Sequence, residues 1–336
     1  MQAPIVSLPL SSPAVPTVTA VGPASLSNLG PGFDALGLAI TGFYDAVTLT
    51  RREAPGVGVD ATHIGDPCGD LAATDLPTCD QKNTAARAAR LVLEAHGAGF
   101  GATMVIEKGI PLGSGIGGSS ASAVAGAVAA AGLLRLEGVL DAPVAEAILV
   151  EAVLDAESVA SGGRHGDNVL PALLGGLVLV DSAAPTRFRR IIGPAPSLAR
   201  ALPRVQGLTK AAREALPTAV PLRDAVCNAA HLAFLLDAWR AGDWAEVGRA
   251  MMTDRLAEPV RAPLVPGYAA IRDAALDAGA PGCCLSGSGP AMVAVCRDDA
   301  HAATVANAMR AACLAAGHGA WTGPIAVDTV GGRVLS

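Results

Sequence analysis

Lysine and aromatic residues are scarce in this sequence. Lysine occurs at three of the 336 positions, and aromatic residues make up 3% of the chain. The net charge is −6, so no basic surface is visible and a nucleic-acid partner is not expected. No lysine directly follows a glycine, which excludes a Walker A phosphate loop of the form GxxxxGK(S/T).

The seven cysteines form no CxxC pair and no tight cluster with histidine, although Cys283 and Cys284 are adjacent. This usage is typical of buried, reduced thiols, and we predict a cytoplasmic protein. The N-terminal stretch MQAPIVSLPLSSPAVP has no basic start and is broken by prolines, so it makes a poor signal peptide. We predict a loose N-terminal arm over residues 1–16.

A long segment without charge, GIPLGSGIGGSSASAVAGAVAAAGLL, covers residues 109–134. It follows a predicted strand, and its second half, from about Ser119 to Leu134, predicts a helix. Glycines let backbone amides approach a ligand closely, and a helix N-terminus carries partial positive charge. A strand, a Gly/Ser loop and a helix N-terminus in this order therefore predict an anion site, most often for phosphate.

Other interpretations of this segment are weaker. GSGIGG satisfies a loose GxGxxG spacing, but it begins at residue 113, behind two predicted strands and a helix, where a Rossmann unit does not place it. A flexible turn before a core helix is the plain alternative. A membrane span needs about 20 apolar residues, more than the predicted helix offers, so we expect a buried helix and no membrane partner.

The predicted elements mix strands and helices without regular βαβ alternation, which favours an α+β fold over a doubly wound sheet. Helices are predicted from Asn83, as the N-cap, and from Asp141, with Pro143 at an early helical position. Residues 54–81 are turn-rich and predict a surface segment. Strands are predicted over 17–25, 42–52, 101–111, 173–182 and 291–297, and further helices over 209–217 and 223–241.

Three glycine-rich segments together resemble the motifs of the GHMP kinases. SLSNLGPGFDALGLAI (25–40) is similar to the first motif of the homoserine kinase branch, PLGSGIGGSSA (111–121) to the phosphate loop, and GAPGCCLSGSGPAMVAV (279–295) to the third motif. They occur in the family's order. The resemblance implies the α+β GHMP kinase fold, with a ribosomal-protein-S5-domain-2-like N-terminal domain over 17–185 and a ferredoxin-like C-terminal domain over 186–336.

In that family the loop binds the ATP phosphates through backbone amides and serine hydroxyls. Gly118 and Ser120 stand where Ser and Ala are more usual, so the hydroxyl moves by one position. The resemblance also places Asn83 near the adenine and Lys108 as a point charge near the phosphates. The predicted ATP-binding residues are Asn83, Lys108, Pro111, Gly113, Ser114, Gly115, Ile116, Gly117, Gly118, Ser119 and Ser120.

Three further segments favour the homoserine kinase branch: HGDNVLPALLGG (165–176), LTKAAREALP (208–217) and DRLAEPVRAPLVPGY (254–268). The resemblance implies L-homoserine as the substrate. Two arginines suit its carboxylate, because guanidinium binds carboxylate in a bidentate fork. The stretch LARALPRVQGLTK carries two arginines and a proline, and it predicts a short or displaced strand. The predicted homoserine-binding residues are Asn28, Asp34, His165, Thr209, Arg213 and Arg261.

Glu157 is singled out by helical periodicity. Val150, Val153 and Leu154 form an apolar stripe, and Glu157 lies on the same face, four residues after Val153. A carboxylate there costs free energy unless a cation partners it. The resemblance assigns this position to Mg²⁺, which prefers a few oxygen ligands beside phosphate and water. We predict a magnesium site formed by Ser119 and Glu157.

The resemblance implies the reaction ATP + L-homoserine → ADP + O-phospho-L-homoserine, a step of threonine biosynthesis. Phosphoryl transfer depends mainly on positioning and charge stabilisation. Some GHMP kinases have an aspartate base, whereas the homoserine branch has the asparagine that matches Asn168. That exchange implies direct in-line attack by the substrate hydroxyl. The predicted catalytic residues are Asp34, Asn168, Glu157 and Ser119.

Two other functions stay open at this point. A GHMP kinase for a different small alcohol would share the loop but differ in the HGDN and EPVR segments. A non-catalytic GHMP-fold protein that binds a ligand or nucleic acid would be expected to lose Glu157, Ser119 or the loop glycines, and this sequence keeps them. A homodimer is the family expectation, and no sequence pattern indicates its interface.

Overall fold

A computed structural model of the protein describes residues 15–65, 76–205 and 208–335, so the predicted arm lies outside the described residues except for positions 15 and 16. The strands are β1 Thr17–Asn28, β2 Gly32–Arg52, β3 Val57–Ile64, β4 Gly101–Lys108, β5 Leu177–Val180, β6 Phe188–Ile191, β7 Ser197–Pro203, β8 Cys283–Leu285, β9 Met292–Cys296, β10 Ala320–Ile325 and β11 Arg333–Val334. The helices are α1 Thr84–Ala95, α2 Gly118–Leu136, α3 Glu146–Ser161, α4 Gly166–Leu174, α5 Leu208–Glu214, α6 Leu222–Ala241, α7 Trp244–Met251, α8 Glu258–Arg261, α9 Tyr268–Asp277 and α10 Asp299–Ala315.

The first sheet is organised by one long hairpin. β1 and β2 pair in antiparallel register from Thr17 opposite Thr50 to Asn28 opposite Gly32, so their turn lies at one end of the sheet. The second half of β2 also pairs with β4, and its first half with β5. Because β4 ends at Lys108 opposite Asp45, the glycine loop leaves the sheet partway along the hairpin and runs beside its remaining half.

Helices α1 to α4 enclose the first core against this sheet, with the alanine-rich α2 in the middle. Small residues let its backbone approach α1 closely, since a Cβ on Gly126 would lie 2.3 Å from the carbonyl oxygen of Ala85. Among the described residues α2 is the helix long and apolar enough to cross a membrane, with a mean hydropathy of 1.4, but 67% of that window is buried in the protein. The predicted buried helix is confirmed.

The second sheet is antiparallel, in the order β10-β7-β9-β8, and packs against α9 and α10 around a separate core. Together the two sheets confirm the predicted α+β fold. The expectation of a short or displaced strand before α5 is wrong: β7 has seven residues and is an inner strand. Its Arg200 is tolerated because the guanidinium stacks 3.3 Å from the ring centroid of Trp321 and 4.3 Å from that of Phe43.

Three other local predictions need correction or comment. The turn-rich segment contains β3, which pairs in parallel with β4. Helix α3 starts at Glu146 rather than Asp141, because residues 141–145 bend before it. Strands β6 and β11 pair with the first sheet although both follow residue 185, so they cross the predicted division between 17–185 and 186–336, which stays a prediction.

Candidate active site

One cavity of about 1180 Å³ collects nearly all of the predicted site residues. It is bordered by the β1–β2 turn, the glycine loop, the end of α3, the start of α4, α5, α8 and the β8–β9 turn. The predicted residues that line it are Asn28, Asp34, Asn83, Lys108, Pro111, Gly113, Ser114, Gly115, Gly117, Gly118, Ser119, Ser120, Glu157, His165, Asn168, Arg213 and Arg261.

Two predicted residues are not among those lining the cavity. The side chain of Ile116 is buried in the core between the two sheets, and its carbonyl oxygen accepts a hydrogen bond from Ser25 N at 3.1 Å. Ile116 therefore anchors the loop from behind, by its side chain and its carbonyl. Thr209 belongs to α5, but its side chain lies outside the described part of the structure.

The glycine loop turns its carbonyl groups toward the protein. Ser286 Oγ donates to Gly115 O at 2.8 Å, and Lys108 Nζ donates to Gly118 O at 2.8 Å. Gly115 and Gly117 have φ of 77° and 71°, and a Cβ on Gly117 would lie 2.3 Å from Ser25 Oγ. Glycine is required at both positions, because side chains are strained at positive φ and the space is already filled.

The start of α2 has the properties of an anion site. Its N-cap is Gly117, no side chain caps it, and no acidic residue lies in its first turn. The first amides of the helix therefore lack a side-chain acceptor, at the positive end of the helix dipole. Ser114 Oγ is a second donor: it belongs to the loop, is buried, and has no hydrogen-bond partner among the described residues. Amides and a hydroxyl in this arrangement fit a phosphate group.

Lys108 is held from behind the loop. Its ammonium pairs with Asp45 and donates to Ser122 Oγ at 2.8 Å as well as to Gly118 O. Asp45 is fully buried and also accepts from Ile110 N at 3.1 Å. All three donors of the ammonium thus have protein partners, and its contact with phosphate stays a prediction. The sequence does not predict the pairing of Asp45 with Lys108, because an acidic residue in an alternating strand gives no indication of a partner 63 residues away.

Glu157 is buried on α3, as its periodicity predicts, and its carboxylate lies at the start of α2. Ser120 Oγ donates to its Oε2 at 2.9 Å, and Ser119 Oγ lies 3.3 Å from the same oxygen. Burial raises the pKa of Glu157 to about 7, although the hydrogen bonds from the two serines oppose that shift. The extra hydroxyl at Ser120 is therefore closer to the carboxylate than Ser119 is.

The oxygen donors at Glu157 fit a magnesium ion. A carboxylate and a serine hydroxyl are the hard oxygen ligands that Mg²⁺ prefers, with the rest of its shell from phosphate and water. Among the described residues no group of three or more His, Cys, Asp or Glu side chains could hold a metal by itself. An ion here would therefore depend on a bound phosphate for part of its ligands.

The β1–β2 turn presents two of the predicted residues in an unusual backbone. Asn28 and Asp34 have φ of 72° and 56°, the left-handed region where Asn and Asp are the best-tolerated side chains. Asn28 Nδ2 donates to Gly287 O at 3.3 Å, and its Oδ1 accepts from Asp34 N at 3.2 Å. The side chain of Asn28 thus joins the first motif to the third and fixes the direction of Asp34.

Asp34 faces the helix that carries the HGDN segment. Its Oδ1 lies 2.8 Å from His165 Nδ1, and this contact raises the pKa of His165. Asp167, which the sequence analysis missed, is buried and lines the same cavity. Burial, followed by the charge of Asp34, raises the pKa of Asp167 to about 6. The sequence could have indicated Asp167, because this residue lies between His165 and Asn168 in the HGDN segment.

Arg261, like Lys108, is a buried cation that lines the cavity. Its Nη1 donates to Gly287 O at 2.9 Å and its Nε to Ala212 O at 3.2 Å, and Phe33 lies with its ring centroid 5.1 Å from the guanidinium. Burial lowers its pKa from the ordinary value. Arg213, on α5, lines the same cavity but is exposed. The cavity therefore combines these two arginines with the acidic side chains of Asp34, Glu157 and Asp167.

Asn83 and Asn168 make contacts that position backbone elements. Asn83 Oδ1 accepts from Ala86 N at 3.1 Å as the N-cap of α1, and its Nδ2 donates to Pro77 O at 2.8 Å. Asn168 Oδ1 accepts from Ser25 Oγ at 3.0 Å, and the same oxygen would lie 3.1 Å from a Cβ on Gly117. Because the amide of Asn83 is engaged in this way, its predicted role at the adenine stays a prediction.

Comparison with known proteins places this site in a family. Residues 83–176 match the GHMP kinases N terminal domain and residues 235–315 match the GHMP kinases C terminal model. Homoserine kinase of Xanthomonas campestris pv. campestris is 40% identical over 314 residues, 91% of each chain, and that of Thermococcus kodakarensis is 39% identical over 280 residues, 83% of this chain and 88% of its own.

Solved structures agree. A crystal structure of homoserine kinase from Cytophaga hutchinsonii superposes with a TM-score of 0.86 at 33% identity, covering 98% of this chain and all of its own. The L. major mevalonate kinase, at 19% identity and a TM-score of 0.68, shares the fold. The cavity is thus that of an ATP-dependent kinase. The chain belongs to the GHMP kinase family and, within it, to the homoserine kinases.

The stability of the folded protein should depend on pH through its buried carboxyl groups, and Glu258 provides the clearest test. Burial raises the pKa of Glu258 to about 7, while Tyr268 Oη at 2.6 Å and Leu285 N at 3.1 Å donate to its Oε1. Between the unfolded pKa of about 4.3 and the folded pKa, the folded state binds more protons. This group's contribution to stability therefore falls as pH rises.

We expect the melting temperature of Glu258→Gln, relative to the parent protein, to rise as the pH goes from 5 to 8. Both proteins are measured without metal or nucleotide, by thermal unfolding at matched ionic strength. Glu214→Gln, on the exposed side of α5, serves as control and should show no such trend. A difference that stays constant from pH 5 to pH 8 would contradict the raised pKa of Glu258.

Proposed function

We propose that this enzyme transfers the γ-phosphoryl group of ATP to the side-chain hydroxyl of L-homoserine, giving ADP and O-phospho-L-homoserine for threonine biosynthesis. One observation carries the proposal. A single cavity joins a phosphate end, formed by the glycine loop and Glu157, to a substrate end, formed by Asn28, Asp34, His165, Asp167 and Arg261. The homoserine kinases among its relatives supply the substrate class.

At the phosphate end, backbone amides of the loop and of the first turn of α2 hold the triphosphate. Ser114 offers its unpartnered hydroxyl, and the buried carboxylate of Glu157 with Ser119 or Ser120 holds Mg²⁺. The ion, when bound, neutralises the charge that builds up on the transferred phosphoryl group. Asp45 and Lys108 fix the loop from behind, which keeps its amides aligned without needing a lysine inside the loop.

At the substrate end, opposite charges orient an amino acid. The acidic cluster of Asp34 and Asp167 binds the ammonium group, and Arg261 with Arg213 binds the carboxylate. Asp34 also hydrogen-bonds the hydroxyl end, and Asn168 lies beside the glycine loop, where the phosphoryl group passes. Because no carboxylate takes the place of Asn168, the hydroxyl attacks in line without a strong base.

We further propose a homodimer in the cytoplasm.

The charge pairing can be tested with trimmed substrates. 4-Hydroxybutanoate is L-homoserine without its ammonium group, and 3-amino-1-propanol is L-homoserine without its carboxylate. Each leaves buried charges of the site without a partner, so kcat/KM is expected to fall by roughly a hundredfold for each. If either compound were phosphorylated as well as L-homoserine, the corresponding half of the substrate end would be wrongly assigned. Such a result would favour a kinase for another small alcohol.

Asp167→Asn tests the residue that sequence reasoning missed. The change removes a negative charge and keeps the shape, so the KM for L-homoserine is expected to rise by about a hundredfold. The kcat/KM for 4-hydroxybutanoate, which has no ammonium group, should stay unchanged or improve. Steady-state kinetics with both substrates gives the comparison. Equal losses with the two substrates would show that Asp167 does not bind the ammonium group.

A further inference from the structure

Two successive carbonyl groups of the glycine loop are held by serines outside the cavity. Ser286 Oγ donates to Gly115 O at 2.8 Å, and Ser25 N donates to Ile116 O at 3.1 Å. Both serines are fully buried, and neither is among the described residues that line the cavity, whereas Gly115 and Gly117 are. The two carbonyl oxygens therefore point away from the cavity.

The direction of each carbonyl group fixes the direction of the amide that follows it. A trans peptide is planar, so its C=O and its N–H point to opposite sides. Because Gly115 O points to Ser286, the N–H of Ile116 faces the cavity side of the loop, and the N–H of Gly117 does so because Ile116 O points to Ser25. In the part of the chain that the structure describes, neither N–H has a hydrogen-bond acceptor. Both amides are thus free to donate to an anion.

The glycine at position 115 makes the bond from Ser286 necessary. Gly115 has a φ of 77°, and glycine places little restriction on rotation of the peptide that follows it. If the peptide between Gly115 and Ile116 turned over, its carbonyl oxygen would face the cavity and repel a phosphate. The hydroxyl of Ser286 opposes this rotation, since it donates to the carbonyl oxygen in the observed orientation.

The hydroxyl of Ser286 is itself directed by its surroundings. The backbone N of Ser286 donates to Ala291 O at 2.8 Å, and its carbonyl oxygen accepts from Gly289 N at 2.9 Å. Its Oγ accepts from Ser27 N at 3.3 Å. A serine hydroxyl has one proton to donate, and with Ser27 N on its acceptor side that proton is directed to Gly115 O.

We propose that Ser286 is a positioning residue for the phosphate end: its hydroxyl holds the peptide between Gly115 and Ile116 so that the N–H of Ile116 binds a phosphate oxygen. The inference rests on the proposed function for the identity of the ligand. Ser286 adjoins Gly287, whose carbonyl oxygen accepts from Asn28 and Arg261 at the substrate end. The β8–β9 turn therefore orients groups at both ends of the cavity.

Binding of two probes tests this role without any turnover. Inorganic tripolyphosphate has the phosphates without the nucleoside, and adenosine has the nucleoside without the phosphates; each is titrated calorimetrically in the presence of Mg²⁺. In Ser286→Ala the Kd for tripolyphosphate is expected to rise about tenfold, because the amide of Ile116 is no longer held, while the Kd for adenosine stays unchanged. Unchanged binding of tripolyphosphate, or equal weakening of both probes, would overturn the proposal.

Thr19→Ala is the matched control for the loss of a hydroxyl. Thr19 lies on β1 outside the cavity, and its Oγ1 contacts Thr48 Oγ1 at 2.9 Å. This variant should bind both probes like the parent protein. A loss of tripolyphosphate binding in Thr19→Ala as large as that in Ser286→Ala would show that the effect is not specific to the loop, and would contradict the proposal.

The amide of Ile116 can also be observed in the parent protein, so the test does not depend on the folding of a variant. With ¹⁵N-isoleucine labelling, its NMR signal is assigned by its disappearance in Ile116→Val. Tripolyphosphate should shift this signal and adenosine should not, and in Ser286→Ala the shift at saturation should be smaller. An unshifted Ile116 signal in parent protein saturated with tripolyphosphate would overturn the proposal.

These measurements separate the role of Ser286 from the proposed function. If the parent protein bound tripolyphosphate but released no ADP with L-homoserine, the proposed substrate would be wrong, while the shift of the Ile116 amide would still support the role of Ser286. If the parent protein bound neither tripolyphosphate nor ATP, both the proposed function and the role of Ser286 would be overturned, because the phosphate end itself would be wrongly assigned.

Discussion

Replacing Glu157 by glutamine is expected to lower kcat by about a hundredfold or more while the protein stays folded. Glu157 is the buried carboxylate next to Ser119 and Ser120, and its pKa of about 7 shows how costly its charge is without a cation. Glutamine keeps the size and can still accept a hydrogen bond from Ser120, but it loses the charge that holds Mg²⁺ beside the phosphates. Losing such a charge from a phosphoryl-transfer site costs several kcal/mol of transition-state stabilisation, on the order of a thousandfold at the upper end.

Two controls make this prediction specific. Glu151→Gln lies on the solvent side of the same helix, where Glu151 pairs with Arg164, and it should leave kcat unchanged. Thermal unfolding of Glu157→Gln at pH 8 without metal should show a melting temperature no lower than that of the parent protein, because a buried charge has been removed. An active Glu157→Gln variant with an unaltered Mg²⁺ requirement would show that the metal is held elsewhere.

Replacing Arg261 by alanine is expected to raise the KM for L-homoserine by roughly a hundredfold or more and to leave ATP binding nearly unchanged. The guanidinium is buried at the substrate end, so its loss leaves the substrate carboxylate desolvated without its main partner. Steady-state kinetics gives the KM, and titration with a non-hydrolysable ATP analogue gives nucleotide affinity. Lysine at this position should recover little, since a point charge cannot replace the planar fork.

Arg261 also has a structural role that this test must separate from substrate binding. Its bonds to Gly287 O and Ala212 O link the β8–β9 turn to α5. The carboxylate-free compound 3-amino-1-propanol provides the separation, because a clamp for carboxylate should not affect its kcat/KM. Arg255→Ala, at an exposed position six residues earlier, is the matched control and should behave like the parent protein. Loss of ATP binding with homoserine binding retained would show that the role of Arg261 has been misassigned.

The glycine-rich motifs predicted the residues of the cavity because each motif is a local turn. The backbone conformation of such a turn depends mainly on its own glycines and polar residues. Gly115 and Gly117 need positive φ, and Asn83 caps α1, whatever the rest of the chain does. The periodicity of α3 placed Glu157 on the buried side for the same reason. Such features are fixed within a few residues of sequence, and the sequence therefore predicts them well.

Features that depend on distant partners were missed. Strand β3 exists because β4 lies beside it, and its own sequence, with Gly58 and Asp60, has weak strand preference. Arg200 is acceptable inside β7 because Trp321 and Phe43, far away in sequence, cover its guanidinium. Asp45 gains its role from its ion pair with the distant Lys108, and Asp167 shares the cavity with Asp34 only because the fold brings α4 to the β1–β2 hairpin.

The most direct single measurement is ADP release with Mg·ATP against L-homoserine, L-threonine, L-serine, mevalonate and galactose, each at several concentrations. The proposed function predicts a strong preference for L-homoserine, with kcat/KM for the other four lower by at least about a hundredfold. Comparable or faster ADP release with mevalonate or galactose would keep the kinase fold and the phosphate end but contradict the assignment of the substrate end to an amino acid.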